Sequence, residues 1–188
     1  MKLVFDAVKL RQGTFELSLD AEFPAGIHLI TGRIGSGKST LALAAAGILP
    51  AAEGEIHRED CTGSPLLLMQ FPEYHVTGST VAAEIRSWNL DGSEAPFSLL
   101  GTADPARDPL TLSRGELRRL ELACVLAREP GLLILDEPYA SLDRFAKPVL
   151  TTLLEQRAGI TLIFSHEQEF LPAAADRWRI TAGTVYHE

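Results

Sequence analysis

The chain is predicted to fold as one α/β domain, with a parallel-sheet core, an N-terminal antiparallel β-subdomain and a short helical subdomain. Two patterns carry that prediction. Ile27, His28, Leu29 and Ile30, and again Leu132, Leu133, Ile134 and Leu135, form the short, nearly unbroken apolar runs expected of parallel strands covered on both faces. Phe15, Leu17, Leu19, Ala21 and Phe23 instead alternate with Glu16, Ser18, Asp20 and Glu22, the period-two pattern of a strand with one solvated face. With 188 residues and 46% hydrophobic content, the chain suits a single domain with an ample core.

Taken in order, the strand over 15–23 leads to the apolar run 27–30, a glycine-rich loop and a helix-prone segment at 41–46. A short strand is expected near 55–57 and a core strand over 66–70. Residues 72–111 then read as the helical subdomain. Only 81–88 has a convincing helical pattern there, because Asp91-Gly92, Pro96, Gly101, Pro105 and Pro109 punctuate the rest. Ser113 and Glu116 form an S-x-x-E capping box, followed by Leu117, Leu120, Cys124 and Ala127 on one helical face. A strand at 132–135 follows, then a helix over about 145–157 with Pro148 in its first turn, a strand at 160–164 and a terminal hairpin around Ala182-Gly183. The segments divide as 1–71 for the β-subdomain and phosphate-loop core, 72–111 for the helical part and 112–188 for the remaining core. There is no internal repeat.

The chemistry concentrates in two motifs. Gly32-Arg33-Ile34-Gly35-Ser36-Gly37-Lys38-Ser39 fits G-x-x-x-x-G-K-[ST] and lies between an apolar run and a helix, as that phosphate-binding loop requires. Glycines at positions 32, 35 and 37 let successive N–H groups turn inward against an anion at a helix N-terminus. Lys38 would neutralise the β- and γ-phosphates, and Ser39 would ligate Mg²⁺. Asp136 and Glu137 end the run 132–135, and the C-terminal edge of an open α/β sheet is where ligands bind. Asp136 can therefore hold the Mg²⁺ shell while Glu137 faces the attacking water.

With these motifs the chain resembles the nucleotide-binding subunit of ABC transporters over nearly its whole length. Leu112-Ser113-Arg114-Gly115-Glu116 resembles the LSGGQ signature, Ser141-Leu142-Asp143 the D-loop, Gln70 the Q-loop glutamine and His166 the switch histidine. The resemblance implies a P-loop NTPase of the ABC ATPase type with a RecA-like core. It also implies a nucleotide site built from residues Gly32, Arg33, Ile34, Gly35, Ser36, Gly37, Lys38, Ser39 and Thr40. Gln70 would join Ser39 and Asp136 around Mg²⁺, and Glu137, Gln70 and His166 would align the water. Ser113, Gly115 and Asp143 would act across a head-to-tail dimer whose second ATPase subunit is identical or different. Arg114 and Glu116 depart from the signature, and Leu10-Arg11-Gln12-Gly13 lacks the aromatic that usually stacks on adenine; Phe15 or the Arg11 guanidinium could stack instead. Gln70-Phe71-Pro72-Glu73-Tyr74, the Ser79 to Glu84 stretch and Leu117-Arg118-Arg119 resemble energy-coupling-factor (ECF) importer ATPases, which serve vitamins and transition-metal ions.

Other features bound the reading. A net charge of −8 argues against a general nucleic-acid surface. Cys61 and Cys124 lack paired or metal-ligand spacing. Residues 41–52, the longest apolar segment, are interrupted by Gly47 and Pro50 and are too short to span about 30 Å of hydrocarbon. A transport role would therefore need an integral membrane partner, with this chain cytoplasmic and peripheral on the inner face of the membrane. A soluble ABC ATPase outside transport and an ATP-gated dimer clamp with weak turnover are the alternatives.

Overall fold

The computed structural model describes residues 1–101, 103–167 and 169–188. Strands β1 (Lys2–Gln12) and β2 (Phe15–Pro24) pair as an antiparallel hairpin. The alternation over 15–23 has its expected consequence: Leu17, Leu19, Ala21 and Phe23 are buried, and the opposite face carries ion pairs such as Lys2 with Glu22 and Arg11 with Glu16. β3 (Gly26–Gly32) enters the core and runs through the glycine-rich loop into helix α1 (Lys38–Ala45). β4 (Glu53–Glu59) returns to the outer side of β1.

The parallel core adds β5 (Leu66–Leu68), β6 (Leu132–Asp136) and β7 (Ile160–Phe164), and the chain closes with β8 (Asp176–Thr181) and β9 (Thr184–His187). All nine strands among the described residues join one sheet in the order β4-β1-β2-β9-β8-β3-β7-β6-β5. β3, β5, β6, β7 and β8 run parallel. Because β7 lies between β3 and β6, one sheet edge receives three loops side by side: the glycine-rich loop, Asp136-Glu137 and Ser165-His166. Ala182 (φ +49°) and Gly183 (φ +75°) are both left-handed, the geometry that a two-residue hairpin between β8 and β9 demands.

The apolar runs are buried on both faces, as sheet strands covered twice must be. Leu132, Ile134, Ile160, Leu162 and Phe164 pack with α1 and the β1–β2 hairpin. Leu133, Leu135, Ile163 and Leu29 pack with the helices of the opposite side: α2 (Val81–Ser87), α3 (Ala95–Leu100), α4 (Arg114–Ala127) and α5 (Ala146–Glu155).

Three boundaries differ from the sequence expectation. α3 lies among the breakers of 89–111, because two of those breakers bound it: Pro96 occupies the first turn, where a missing N–H costs nothing, and Gly101 ends the helix at φ +75°. Phe97 and Leu100 between them are buried. The core strand expected over 66–70 stops at Leu68, because the Met69 N–H donates to His75 Nε2 (2.9 Å) instead of continuing the ladder. β1 spans eleven residues that the periodicity did not mark as a strand, since its register shifts between Phe5 and Val8.

Candidate active site

The glycine-rich loop is shaped for an anion. Gly35 and Gly37 have φ of +77° and +104°, and α1 begins at Gly37 with no side chain capping its first N–H groups. The residues that carry those donors, Lys38, Ser39 and Thr40, line a cleft of about 520 Å³ together with Gln12, Gln70, Asp136, Glu137 and His166, among others, where a helix N-terminus favours an anion. A Cβ on Gly37 would lie 2.5 Å from the Phe15 ring, so glycine is required where that ring closes over the loop. Phe15, Ile34, Gly35 and His166 also line a larger open groove of about 1110 Å³, which continues the cleft around the loop.

Lys38 Nζ lies 2.9 Å from Gly32 O and 2.8 Å from His166 Nε2. The ammonium can only donate, so that imidazole nitrogen accepts and the ring proton sits on Nδ1. Burial lowers the Lys38 pKa, and the nearby Glu137 and Asp136 charges oppose the shift. Ser39 Oγ donates to Asp136 Oδ2 at 2.9 Å. Burial raises the Asp136 pKa and this hydrogen bond counters it. A serine hydroxyl and a carboxylate, with Gln70 lining the same cleft, are the hard oxygen donors that fit Mg²⁺ when phosphate oxygens and water complete its shell.

Glu137 has the least ordinary geometry. Its φ of +49° is left-handed, a conformation that costs a non-glycine residue about 1–2 kcal/mol. Its N–H donates to Phe164 O in β7 at 2.8 Å, which holds the turn. Oε2 accepts from Ser165 Oγ (3.1 Å) and the His166 N–H (3.2 Å), whereas Oε1 is buried without a hydrogen-bond partner, 3.6 Å from His166 Nε2. One oxygen is thus anchored, and the other, buried beside His166 and within the field of the Lys38 charge, has no hydrogen-bond donor, which leaves the carboxylate an acceptor site for a water's proton.

The remaining predicted positions divide. Ile34 and Thr40 line the same cleft, where Thr40 donates to Gln12 Oε1 at 3.0 Å, and Arg33 and Ser36 lie on the loop lining the larger groove. Ser113, Gly115 and Asp143 do not line either cleft in a single chain. Ser113 Oγ accepts the Glu116 N–H while Glu116 Oε2 accepts the Ser113 N–H, so the capping box is fully formed. Gly115 is crowded by backbone: a Cβ there would lie 2.7 Å from Ser141 O. Asp143 accepts the Phe145 and Ala146 N–H groups and pairs with Arg119 at 3.0 Å. Arg114 turns toward the Gln70 loop, 3.9 Å from Glu73 and with its guanidinium 5.8 Å from the Phe71 ring centroid. Of the two residues considered for stacking on a base, Arg11 is engaged by Glu16 and Glu53, each at 2.8 Å, whereas Phe15 faces the cleft.

Sequence reasoning did not single out Ser165, which is fully buried and supports Glu137, or Gln12, which holds Thr40. Ser165 could have been found as the residue between an apolar strand and His166.

A family model described as ABC transporter matches residues 17–140. The energy-coupling factor transporter ATP-binding protein EcfA1 of Thermotoga maritima is 35% identical over an alignment covering 98% of this chain and 80% of that protein. A crystal structure of a cobalt transport ATP-binding protein superposes with a TM-score of 0.79 at 21% identity, covering 98% of this chain and 78% of that one. A dimeric ATP-binding cassette in a post-hydrolysis state, bound to ADP and Pi, superposes with a TM-score of 0.78 at 17% identity, covering 99% and 97% of the two chains. These superpositions establish the fold.

Proposed function

The chain belongs to the ABC transporter family and is an ATPase of that type, and from that premise we propose that it powers an ECF-like importer of a vitamin or a metal ion. The single observation that carries hydrolysis is the split Glu137 carboxylate, one oxygen tied to Ser165 and the His166 N–H and the other buried without a hydrogen bond, 3.6 Å from the His166 ring. The identity to EcfA1 across 98% of the chain favours the ECF class.

In this reading the N–H groups at the start of α1 cradle the phosphates of ATP. Lys38 exchanges its contact with His166 for the β- and γ-phosphates. Ser39, Asp136 and Gln70 would hold Mg²⁺, which supplies charge neutralisation at the phosphate oxygens. Glu137 Oε1 accepts a proton from the attacking water, and Gln70 and His166 fix that water's position. Phe15 stacks on the base. Ser113 and Gly115 of a second ATPase subunit close over the γ-phosphate head to tail, and Asp143 couples the two sites. In the same reading the solute path belongs to an integral membrane partner and this chain sits peripherally on its cytoplasmic face; among the described residues no helix is long and apolar enough to cross a membrane.

Affinity purification from detergent-solubilised native membranes tests the assembly. Stoichiometric recovery of an integral membrane subunit, together with a second ATPase, supports the importer. Recovery of soluble partners alone, under conditions that keep a known transporter intact, refutes it. Replacing Glu137 by Gln tests the chemistry: turnover should fall by roughly 10²–10⁴-fold while ATP still binds.

A further inference from the structure

β5 and β6 pair only as far as Leu68 and Leu135, after which the two chain segments diverge. The carbonyls that follow on both sides turn toward one guanidinium. Arg118, in the second turn of α4 and only 1% exposed, donates from Nη1 to Met69 O at 2.7 Å. Its Nη2 lies 2.9 Å from both Asp136 O and Glu137 O, and 3.3 Å from Gln70 O. A planar fork with a fixed charge can bridge splayed strand ends in this way, whereas an ammonium presents its donors tetrahedrally from one point.

We propose that Arg118 is a positioning residue for ATP hydrolysis: its bonds to the carbonyls of Met69, Gln70, Asp136 and Glu137 hold the left-handed turn that aims the Glu137 carboxylate and fix the start of the Gln70 loop. The inference rests on the reading of Glu137 as the residue that receives the water's proton. Glu137 is gripped on both sides, by Phe164 O at its N–H and, at its C=O, by Arg118 (2.9 Å) and by the Ala140 N–H of the same turn (3.1 Å). Without Arg118 the carbonyl keeps the local turn bond alone, the strained backbone at φ +49° is held less firmly, and the carboxylate loses its fixed aim at Ser165 and His166. Arg118 also lies four residues beyond Arg114 on α4, so both arginines face the Gln70 loop. A shift of the α4 N-terminus is therefore felt at Glu137 through backbone bonds and not through a side chain in the cleft.

Steady-state ATP hydrolysis by the purified chain, Arg118→Lys, Glu137→Gln and the double variant, with mant-ATP affinity and unfolding midpoints, tests this. Arg118→Lys should lose about 10–100-fold in kcat, while KM and the mant-ATP Kd stay within about threefold. In the Glu137→Gln background the same substitution should cost nothing further, because the residue it positions is gone. A parental kcat for Arg118→Lys beside an inactive Glu137→Gln overturns the inference and leaves the proposed chemistry standing. An equal loss in both backgrounds, or a Kd that rises with the loss of kcat, overturns it as a merely structural effect. Parental turnover by Glu137→Gln removes the inference together with the reading beneath it. Arg118→Gln, uncharged yet able to donate to a carbonyl, supplies a second series with the same outcomes should the lysine variant not fold.

Discussion

Glu121 lies in the middle of α4, fully buried, with neither carboxylate oxygen hydrogen-bonded. Burial pushes its pKa from the ordinary 4.5 to about 8, the Glu84 carboxylate of α2 pushes the same way, and Arg118 opposes them. Glu84 accepts the Thr77 and Gly78 N–H groups and the Trp88 indole, whereas Glu121 has no donor of its own and stays neutral at pH 7. Below pH 4.5 the carboxyl is protonated in folded and unfolded chains alike and costs nothing through ionisation. As pH rises, the unfolded chain releases the proton first and is favoured, and the loss of folded stability is complete only above about pH 8. Each tenfold difference in proton affinity is worth about 1.4 kcal/mol, which makes the loss at pH 7 about 3 kcal/mol. For a chain of this length that corresponds to ~6–12 °C in Tm. Thermal unfolding of the parent and Glu121→Gln between pH 4.5 and 8 isolates the effect, since all other titrating groups are shared. The variant should lack that part of the pH-dependent decline and gain on the parent as pH rises. Parallel curves for the two proteins would refute the assignment of a neutral, buried Glu121.

The other predictions concern the loops around the cleft. Ser113→Ala removes the N-cap of α4 and should lower nucleotide-free stability by about 1 kcal/mol in denaturant unfolding, whereas Glu116→Gln keeps a hydrogen-bonding partner for the Ser113 N–H and should cost less. Phe15→Ala should weaken ATP binding by about tenfold in a titration, through loss of stacking worth roughly 1–3 kcal/mol. Arg114 makes only exposed contacts to Glu73 and Phe71, so Arg114→Gly should change stability by less than about 1 kcal/mol and leave turnover of the isolated chain nearly unchanged; a large gain in hydrolysis would show instead that the arginine restrains the signature.

Much of the fold was legible because burial on two faces and burial on one leave different periods in the sequence. The run 132–135 and the alternation 15–23 identified a core strand and a half-exposed one, and the Ser113–Glu116 box located the start of α4 to the residue. What escaped were elements whose limits depend on distant partners. β5 ends where His75 captures the Met69 N–H, a contact that no local propensity encodes. α3 is only six residues long and was hidden because proline and glycine were read as breaking a helix when they delimit one.

The candidate site divides along the same line. Lys38, Ser39, Asp136 and Glu137 could be named from two contiguous motifs because anion nests and strand-end carboxylates are local constructions. Their working geometry is not local: Ser39 meets Asp136 across 97 residues of chain, Lys38 meets His166 across 128, and Glu137 takes its orientation from Phe164, Ser165 and Arg118. Ser113, Gly115 and Asp143 mark the opposite limit. Ser113 is engaged by the cap, Gly115 packs closely against Ser141 O and Asp143 accepts the N–H groups at the start of α5, yet none lines the cleft. Their action on nucleotide requires a second chain to bring them to it. The same substitution at Ser113 should then have two separable effects, a loss of stability seen in the monomer and a loss of turnover that grows with protein concentration as dimers form. A turnover defect independent of concentration over the range where dimers assemble would mean that Ser113 is a helix cap and nothing more.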